Sequence, residues 1–383
     1  MIPRLPIIRF VSVLVFALVA STSALAAVKV ACVGDSITAG YALADPAHDA
    51  YPSQLARLLG DSYEVRNFGE SGASLMDAGG YPYCKRQRHD EALAWGADVV
   101  VIALGTNDTK QENIAVHPDS FLPSYHGLIA RLRVANPAAK FVLCLPSPAF
   151  PEGMGISNQI LEAQILPLIR QVAAEEKLTL LDLHTPLADA AEHFPDKIHP
   201  DAVAAGRIAR LVYGEVMFAT TPPAQSLDPA VNTAVVPVPR LEDDSYNWWT
   251  RHAEVLAMGA SAAPDIVMIG DSITHFWAGE PRANHVNGPK AWAATFGERR
   301  VLNLGFGWDR TQNVLWRLDH GEFAGLHPKL VVLNIGTNNF SGTEHSRANT
   351  PEEVAAGIRA IRAKLRELSP ETHVLVMGVL PRG

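Results

Sequence analysis

Short apolar runs alternate along the chain with segments whose apolar residues recur at helical spacing. In the first half of the chain, the runs predict strands over residues 28–33, 63–67, 98–104, 141–145 and 178–183. The helical spacing predicts helices over residues 51–59, 124–134, 159–176 and 201–218. Strands that alternate with helices predict a parallel sheet covered by helices on both faces. Ligands of such folds bind at the carboxyl ends of the strands, so residues there are the first candidates for a functional site.

The pattern stops after residue 219 and then begins again. Residues 220–240 are rich in proline, which predicts a semi-extended linker. Beyond this linker, motifs of the first half return in the same order, each after a predicted strand. The pairs are Gly34-Asp35-Ser36-Ile37-Thr38 with Gly270-Asp271-Ser272-Ile273-Thr274, Asn67-Phe68-Gly69 with Asn303-Leu304-Gly305, and Gly105-Thr106-Asn107 with Gly336-Thr337-Asn338. The chain is therefore predicted to contain two copies of one unit, over residues 27–219 and 241–383.

The second copy is expected to be incomplete at its carboxyl end. The first copy continues past Pro146 through a helix, a strand and the motif Asp196-Lys197-Ile198-His199. The second copy reaches the corresponding proline only at Pro381, two residues before Gly383. We therefore expect it to lack counterparts of the Asp–His motif, of the last strand and of the helices around that strand.

Three residues of the first copy have the chemistry of a nucleophilic catalytic site. Ser36 follows a predicted buried strand, where a tight turn can present its hydroxyl to a cleft. A serine hydroxyl needs a base to remove its proton, and the imidazole of His199 is suited to this near neutral pH. Asp196 can accept a hydrogen bond from the other imidazole nitrogen, which fixes the tautomer and stabilises the imidazolium.

Donors for an oxyanion can come from the same region. The backbone N–H groups of Ser36 and Gly72 and the side-chain amide of Asn107 are the candidates, since each lies in a loop after a predicted strand. Asn107 could instead cap a turn. The alternative for Ser36 is a structural turn residue, which the combination with Asp196 and His199 argues against.

At these motifs the sequence resembles the SGNH (GDSL) hydrolases. Four ordered blocks carry the resemblance, namely Gly34-Asp35-Ser36-Ile37-Thr38, Asn67-Phe68-Gly69-Glu70-Ser71-Gly72, Gly105-Thr106-Asn107-Asp108 and Asp196-Lys197-Ile198-His199. The resemblance covers residues 28–217 and implies a flavodoxin-like three-layer α/β/α fold. It also implies metal-free ester hydrolysis by Ser36, His199 and Asp196, with Gly72 and Asn107 completing the oxyanion hole. The members that it resembles most are bacterial carbohydrate acetylesterases.

The second copy resembles a different branch, the alpha subunits of platelet-activating-factor acetylhydrolase. The matching motifs are Gly270-Asp271-Ser272-Ile273-Thr274, Gly305-Phe306-Gly307-Trp308-Asp309-Arg310-Thr311, Val314-Leu315-Trp316-Arg317-Leu318 and Gly336-Thr337-Asn338-Asn339. Trp308 stands where the family would have the glycine of the oxyanion hole, and the Asp–His motif is missing. Ser272, Trp308 and Asn338 are therefore expected to form an inactive site, in which Ser272 is a structural turn residue.

The amino terminus predicts export. Arg4 and Arg9 precede an uncharged apolar run over residues 10–20, and Ala24-Leu25-Ala26 is a small-x-small cleavage site. Residues 1–26 are therefore predicted to be a signal peptide cleaved after Ala26. The mature protein is expected in the periplasm or outside the cell, without a stable membrane anchor.

Composition and charge limit which partners and cofactors are expected. The net charge of the 383-residue chain is −8, so no basic excess exists to neutralise nucleic-acid phosphates. A hydrophobic content of 48% excludes a disordered chain. No metal or other cofactor is expected, because the spacing of the histidines that do not belong to the motifs suggests no metal site. These are interpreted as solvated or core residues, namely His117, His126, His184 and His193.

Cysteine and tryptophan positions add two expectations. Cys32 and Cys144 lie in strand patterns and are interpreted as buried free thiols, whereas Cys84 lies in a predicted loop without an assigned role. Six of the seven tryptophans lie at or after Trp248. Core packing is favoured for them over platforms that stack on sugars.

Three functions are compatible with these observations. The leading hypothesis is an exported serine esterase that removes small acyl groups, acetyl above all, from carbohydrate. A lysophospholipase or thioesterase for longer acyl chains is the alternative among hydrolases. A carbohydrate-binding protein without catalysis is the alternative from another class, and the pairing of Asp196 with His199 argues against it for the first copy. Neither the alcohol half of the ester nor the oligomeric state follows from the sequence.

Overall fold

The first unit is built on a five-stranded parallel sheet. The computed structural model describes residues 26–151 and 153–380, so the predicted signal peptide lies outside the described residues except for Ala26. The strands are Val28–Gly34 (β1), Tyr63–Gly69 (β2), Val99–Ala103 (β3), Lys140–Leu145 (β4) and Thr179–Asp182 (β5). Their order in the sheet is β2-β1-β3-β4-β5. This confirms the predicted parallel α/β sheet and its flavodoxin-like order.

Helices cover both faces of this sheet. They are Ser36–Ala39 (α1), Pro46–Asp49 (α2), Tyr51–Leu59 (α3), Gln87–Trp95 (α4), Phe121–Ala135 (α5), Asn158–Ile160 (α6), Leu166–Glu176 (α7) and Ala202–Thr220 (α8). The sequence did not predict α4, whose first residues are polar. The helix predicted over residues 159–176 contains a π-helical turn at Leu161–Ile165. Pro167 follows in the first turn of α7 and has no N–H to continue the α-helical ladder.

Successive residues of β1 face opposite layers. Val30 and Cys32 pack in a core with residues of α3 and α8, and Ala31 and Val33 pack in a second core with residues of α4, α5 and α7. Burial on both faces explains why β1 is apolar from Val30 onward. Cys32 and Cys144 are buried free thiols, as predicted, and Cys84 is a free, half-buried thiol. Val203, by contrast, is exposed on α8 although the pattern places it on the apolar face.

The second unit repeats the topology with a smaller sheet. Its strands are Ile266–Gly270 (β6), Val301–Gly305 (β7), Leu330–Asn334 (β8) and His373–Val376 (β9), in the parallel order β7-β6-β8-β9. Its helices are Trp248–Ala262 (α9), Ser272–His275 (α10), Pro289–Phe296 (α11), Thr311–Asp319 (α12) and Pro351–Leu368 (α13). Among the described residues, no fifth strand extends this sheet beyond β9. The repeat predicted from the sequence is therefore also present in the fold.

The two units share a packed boundary between α8 and α9. One cluster of buried apolar side chains runs from the α3–α8 face of the first unit into the second unit, and it includes Trp248 and Trp249. Asn247, which caps α9, donates a hydrogen bond from its side chain to Glu215 of α8 at 3.1 Å. Core packing is confirmed for Trp248 and Trp249, which are 4% and 2% exposed.

The proline-rich segment between the units lies against the second one. It contains no strand, and its short 3₁₀ helix spans Thr233–Val235. Thr311 donates a side-chain hydrogen bond to the carbonyl of Ala234, and Asn313 donates one to the carbonyl of Pro239. These side chains satisfy backbone carbonyls that prolines prevent from joining a regular ladder. None of the helices in the described part of the chain is long and apolar enough to cross a membrane.

Candidate active site

The carboxyl ends of three neighbouring strands place the first loops of the site together. In the sheet Gly34 of β1 pairs with Gly69 of β2 on one side and with Ala103 of β3 on the other. The loops that leave these strands therefore begin at the same level of the sheet. Ser36 and Asn107 come from two of them, after β1 and β3.

Ser36 opens the short helix α1 directly after β1. Asp35 caps this helix, and its Oδ1 accepts the N–H of Ile37 at 3.0 Å. Burial raises the pKa of Asp35 to about 6, although the Ile37 hydrogen bond, Thr106 and the nearby imidazole of His199 act in the opposite direction. The cap fixes the turn that presents Ser36, whose side chain reaches a cleft.

A turn after β5 supplies the imidazole and its carboxylate. Asp196 Oδ1 accepts the backbone N–H groups of Ile198 at 3.0 Å and His199 at 2.7 Å. Its other oxygen, Oδ2, lies 2.6 Å from His199 Nδ1. Burial opposes the charge of Asp196, but these hydrogen bonds outweigh it and hold the pKa of Asp196 below its usual range. An ionised Asp196 can only accept, so Nδ1 carries the proton and Nε2 is left with a lone pair.

The free imidazole nitrogen faces the serine. His199 Nε2 lies 2.8 Å from Ser36 Oγ, although the two residues are far apart in sequence. His199 is 4% exposed, and the ring of Tyr41 lies against it with centroids 4.6 Å apart. The arrangement can therefore pass a proton from the hydroxyl to the imidazole while solvent access stays limited.

The remaining two predicted residues lie beside this pair. Gly72 has a left-handed backbone with φ of 83°, and Asn107 is buried after β3. Asn107 Nδ2 donates one hydrogen to the carbonyl of Ala73 at 3.1 Å, which leaves its second amide hydrogen for a substrate. Asp108 accepts the N–H groups of Leu75 and Met76 at 2.8 and 2.9 Å, so it ties the loop of Gly72 to the loop of Asn107.

A cleft of about 230 Å³ brings the predicted residues together with others that sequence reasoning missed. The residues predicted from sequence that line it are Ser36, Gly72, Asn107 and His199, and the others are Tyr41, Ser71, Thr106, Lys110, Met154, Ile156 and Ile198. Tyr41 and Lys110 could have been suspected only from their closeness in sequence to the motifs, and Met154 is far in sequence from all of them. The described residues include no group of three or more His, Cys, Asp or Glu side chains that could hold a metal.

The second unit has a corresponding cleft of about 420 Å³. Ser272, Trp308 and Asn338 line it, as the repeat predicts. The other lining residues are Asp244, Ile273, Phe276, Thr337 and Leu380. Asn338 Nδ2 donates to the carbonyl of Asp309 at 3.1 Å, which repeats the contact of Asn107 with Ala73. In the described chain, no imidazole forms a hydrogen bond with Ser272 Oγ.

Comparison with known proteins supports the repeat. The family model of GDSL-like lipases and acylhydrolases matches residues 32–205 and 268–383. An acetylxylan esterase of Xylanibacter ruminicola is 36% identical over 203 residues, which are 49% of this chain and 42% of that protein. Platelet-activating factor acetylhydrolase IB subunit alpha1 of Rattus norvegicus is 36% identical over 147 residues, which are 38% of this chain and 56% of that protein. The chain thus spans about half the length of these relatives.

Two solved structures of esterases each match about half of this chain. The aryl esterase of M. smegmatis matches 50% of this chain and 98% of its own, with 20% identity and a TM-score of 0.41. A carbohydrate acetylesterase of Sinorhizobium meliloti matches 49% of this chain and 98% of its own, with 22% identity and a TM-score of 0.38.

Proposed function

Because the chain belongs to the GDSL-like lipase/acylhydrolase family, we propose that it is a carboxylic ester hydrolase whose reaction takes place in the first unit. The observation that carries the proposal is the 2.8 Å contact between Ser36 Oγ and His199 Nε2. The 2.6 Å contact of His199 Nδ1 with Asp196 supports the same assignment.

The reaction proceeds through an acyl-enzyme. Ser36 Oγ attacks the carbonyl carbon of the ester while its proton moves to His199 Nε2. The N–H groups of Ser36 and Gly72 and the amide of Asn107 donate hydrogen bonds to the oxyanion. His199 then gives the proton to the leaving alcohol, and the carbon–oxygen bond of the ester breaks. Water attacks the acyl-enzyme with His199 as base, which releases the acid and restores Ser36.

The substrate that we propose is an acetyl ester of a carbohydrate. A cleft of about 230 Å³ suits a short acyl group, because pockets for larger ligands usually start near 300 Å³. The similarity to an acetylxylan esterase supports xylan as the alcohol half. A series of esters from acetyl to dodecanoyl tests this proposal, and a rate maximum at eight carbons or more would contradict it.

The decisive test compares two serines of the same chain. Ser36→Ala should lower kcat for a soluble acetyl ester by about 10³-fold or more, since it removes the nucleophile. Ser272→Ala is the matched control, because Ser272 occupies the same turn of the second unit without an imidazole at hydrogen-bond distance in the described residues. Full activity of Ser36→Ala, or equal losses in the two variants, would overturn the assignment.

We also propose the domain boundaries and the export route given by the sequence. They are a signal peptide over residues 1–26, a catalytic unit over 27–219, a connecting segment over 220–240 and a second unit over 241–383. The motif Ala24-Leu25-Ala26 supports cleavage after Ala26. Amino-terminal sequencing of the protein recovered from the periplasm or medium should begin at Ala27; a mature protein that begins at Met1 would contradict the proposal.

A further inference from the structure

The second cleft has a wall that the first cleft lacks. Ser272 follows β6, Trp308 follows β7 and Asn338 follows β8, so the cleft lies at the carboxyl ends of these strands. Trp308 replaces Gly72 of the first unit and adds an indole at that position. We propose that this cleft binds a neutral saccharide.

The indole of Trp308 is placed differently from the other tryptophans of the second unit. Trp248, Trp249 and Trp316 pack together in one aromatic cluster, and Trp277 and Trp292 pack around Phe296. Trp308 makes no ring contact with another aromatic side chain in the described part of the chain. It is half-buried and forms part of the cleft wall. An indole in that position offers an apolar face to the C–H face of a pyranose ring and a polar N–H at its edge.

A carboxylate from the segment before α9 enters the same cleft. Asp244 belongs to the segment before α9 and lines the cleft. Its Oδ2 lies where a side chain at Gly307 would begin, since a Cβ at that position would be only 2.0 Å away. Only glycine allows this approach. Asp244 Oδ1 accepts the N–H of Ser245, so Oδ2 is the oxygen left to accept a ligand hydroxyl.

Asn338 completes the polar side of the cleft. One hydrogen of its amide is used by the carbonyl of Asp309, and the other is available to a ligand. An aromatic face together with one carboxylate and one amide matches a ligand that is apolar on one face and carries hydroxyl groups at its rim. A pyranose has this distribution of surfaces.

The charge of the residues that line the cleft defines the class of ligand further. No Lys or Arg is among the described residues that line the cleft, and Asp244 is the charged side chain there. An anionic ligand would meet the Asp244 carboxylate without a cation to offset it. Among the described residues, no imidazole forms a hydrogen bond with Ser272 Oγ, whereas His199 contacts Ser36 Oγ. The existence of the site is independent of the proposed esterase; only the choice of xylan fragments as probes rests on that proposed function.

Titration of the full chain with xylohexaose tests the proposal. The Ser36→Ala background removes any turnover, and calorimetry measures the affinity and the number of sites. We expect saturable binding. In the same background, Trp308→Gly should weaken the affinity about tenfold or more, or should reduce the number of binding sites from two to one. Glycine is the substitution of choice, because it tolerates the left-handed backbone of that position. Asp244→Asn should also weaken binding.

Trp292→Phe is the matched control, since Trp292 belongs to the cluster around Phe296 and not to the cleft. It should bind xylohexaose as the parent does, and thermal unfolding should show that all variants are folded. Equal binding by Trp308→Gly and its parent, or no saturable binding, would overturn the proposal. Binding of a glucosamine or galacturonate oligomer with no binding of xylohexaose would overturn the neutral class. Esterase activity that survives Ser36→Ala would refute the proposed function alone and leave this result standing.

Discussion

Gly72 and Trp308 occupy the same position in the two units and share a left-handed backbone, with φ of 83° and 62°. The loop after the second strand of each unit turns at this residue. Glycine adopts such a conformation freely, whereas a bulky residue at positive φ is strained by about 1–3 kcal/mol. The repeat has therefore kept the backbone turn while the side chain changed, which is the basis of the second cleft's different wall.

Gly72→Ala measures the cost of the left-handed backbone conformation separately from the cost of a steric clash. Nothing lies within 4 Å of a Cβ built at Gly72, so the substitution meets no steric clash. The left-handed conformation alone should lower the free energy of unfolding by about 1–2 kcal/mol. Urea unfolding measures this loss, with Gly325→Ala as the control because Gly325 also has a positive φ, of 72°, and no atom within 4 Å of a Cβ built there. A loss at Gly72 well above the loss at Gly325 would show that the site resists a side chain for another reason.

Asn107→Ala should slow ester hydrolysis through loss of one oxyanion donor. We expect kcat to fall about 10²–10³-fold with little change in KM, because the bond strengthens only in the transition state. The variant also loses the hydrogen bond to Ala73, worth about 1 kcal/mol of stability. Asn338→Ala loses the equivalent bond to Asp309 and calibrates that structural loss. A proportional rise of KM with unchanged kcat would assign Asn107 to substrate binding instead.

Asp196→Asn should disable the imidazole without unfolding the turn. One oxygen of Asp196 accepts two backbone N–H groups and the other accepts His199 Nδ1. An amide that keeps the first role turns its NH₂ toward the imidazole and favours the wrong tautomer, so kcat should fall about 10⁴-fold. Circular dichroism checks the fold. Activity within tenfold of the parent would show that Asp196 does not set the tautomer.

The carboxylate of Asp196 also makes the unfolding free energy depend on pH in acid. Because the pKa of Asp196 is held below its usual range, its stabilising contribution is present above the unfolded pKa near 3.8 and is lost as pH falls through the lower folded value. The difference in unfolding free energy between the parent and Asp196→Asn should therefore be constant from pH 7 to pH 5 and shrink only below pH 4. A difference that already shrinks between pH 6 and pH 5 would contradict the lowered pKa.

Local patterns predicted the inner strands β1, β3 and β4 because most of their residues are apolar and buried. They predicted the contact of Ser36 with His199 only through the order of motifs, since no local pattern encodes the 2.8 Å distance between them. The left-handed backbone of Trp308 likewise could not be predicted, because nothing in the sequence distinguishes a tryptophan with a strained backbone from one packed in the core.

The segment before α9 shows why some packing could not be predicted. The prolines of residues 220–240 predict a semi-extended linker, yet Arg240 is 4% exposed and Ala234 is fully buried. The partners that make this possible, Thr311 and Asn313, come from α12. Hydrogen bonds between segments that are so far apart in sequence cannot be predicted from the local composition of either segment.

Arg317→Met should destabilise the second unit strongly. The guanidinium of Arg317 is buried, donates to Asp309 Oδ2 at 2.8 Å and pairs with the buried Glu322. Without it two buried carboxylates lack their cation, which costs about 3–5 kcal/mol. Urea unfolding measures the loss, and Arg282→Met at an exposed ion pair with Glu280 is the control, expected to cost less than about 1 kcal/mol. Similar losses in both variants would contradict the importance of burial.

His275 should make the second unit sensitive to mild acid. Its ring is buried against Tyr246 and Phe276, and Nδ1 accepts the N–H of Gly307 at 3.2 Å. Burial lowers the pKa of His275 to about 2, and the cations Arg251 and Arg317 and the imidazole of His285 add to this. The folded state therefore keeps this ring neutral, whereas the unfolded chain binds a proton below about pH 6.5.

The direction in which the unfolding free energy changes with pH follows from this difference in proton binding. His275 contributes its stability above pH 6.5, and the contribution falls by up to about 1.4 kcal/mol for each pH unit below that value. Tryptophan fluorescence reports on the second unit, since six of the seven tryptophans lie at or after Trp248. Urea unfolding at pH 7, 6 and 5 should show a flatter pH dependence for His275→Gln, which keeps an acceptor for Gly307 but does not titrate. His373→Gln, at an exposed position, should keep the slope of the parent; if both variants flatten it equally, burial of His275 is not the cause.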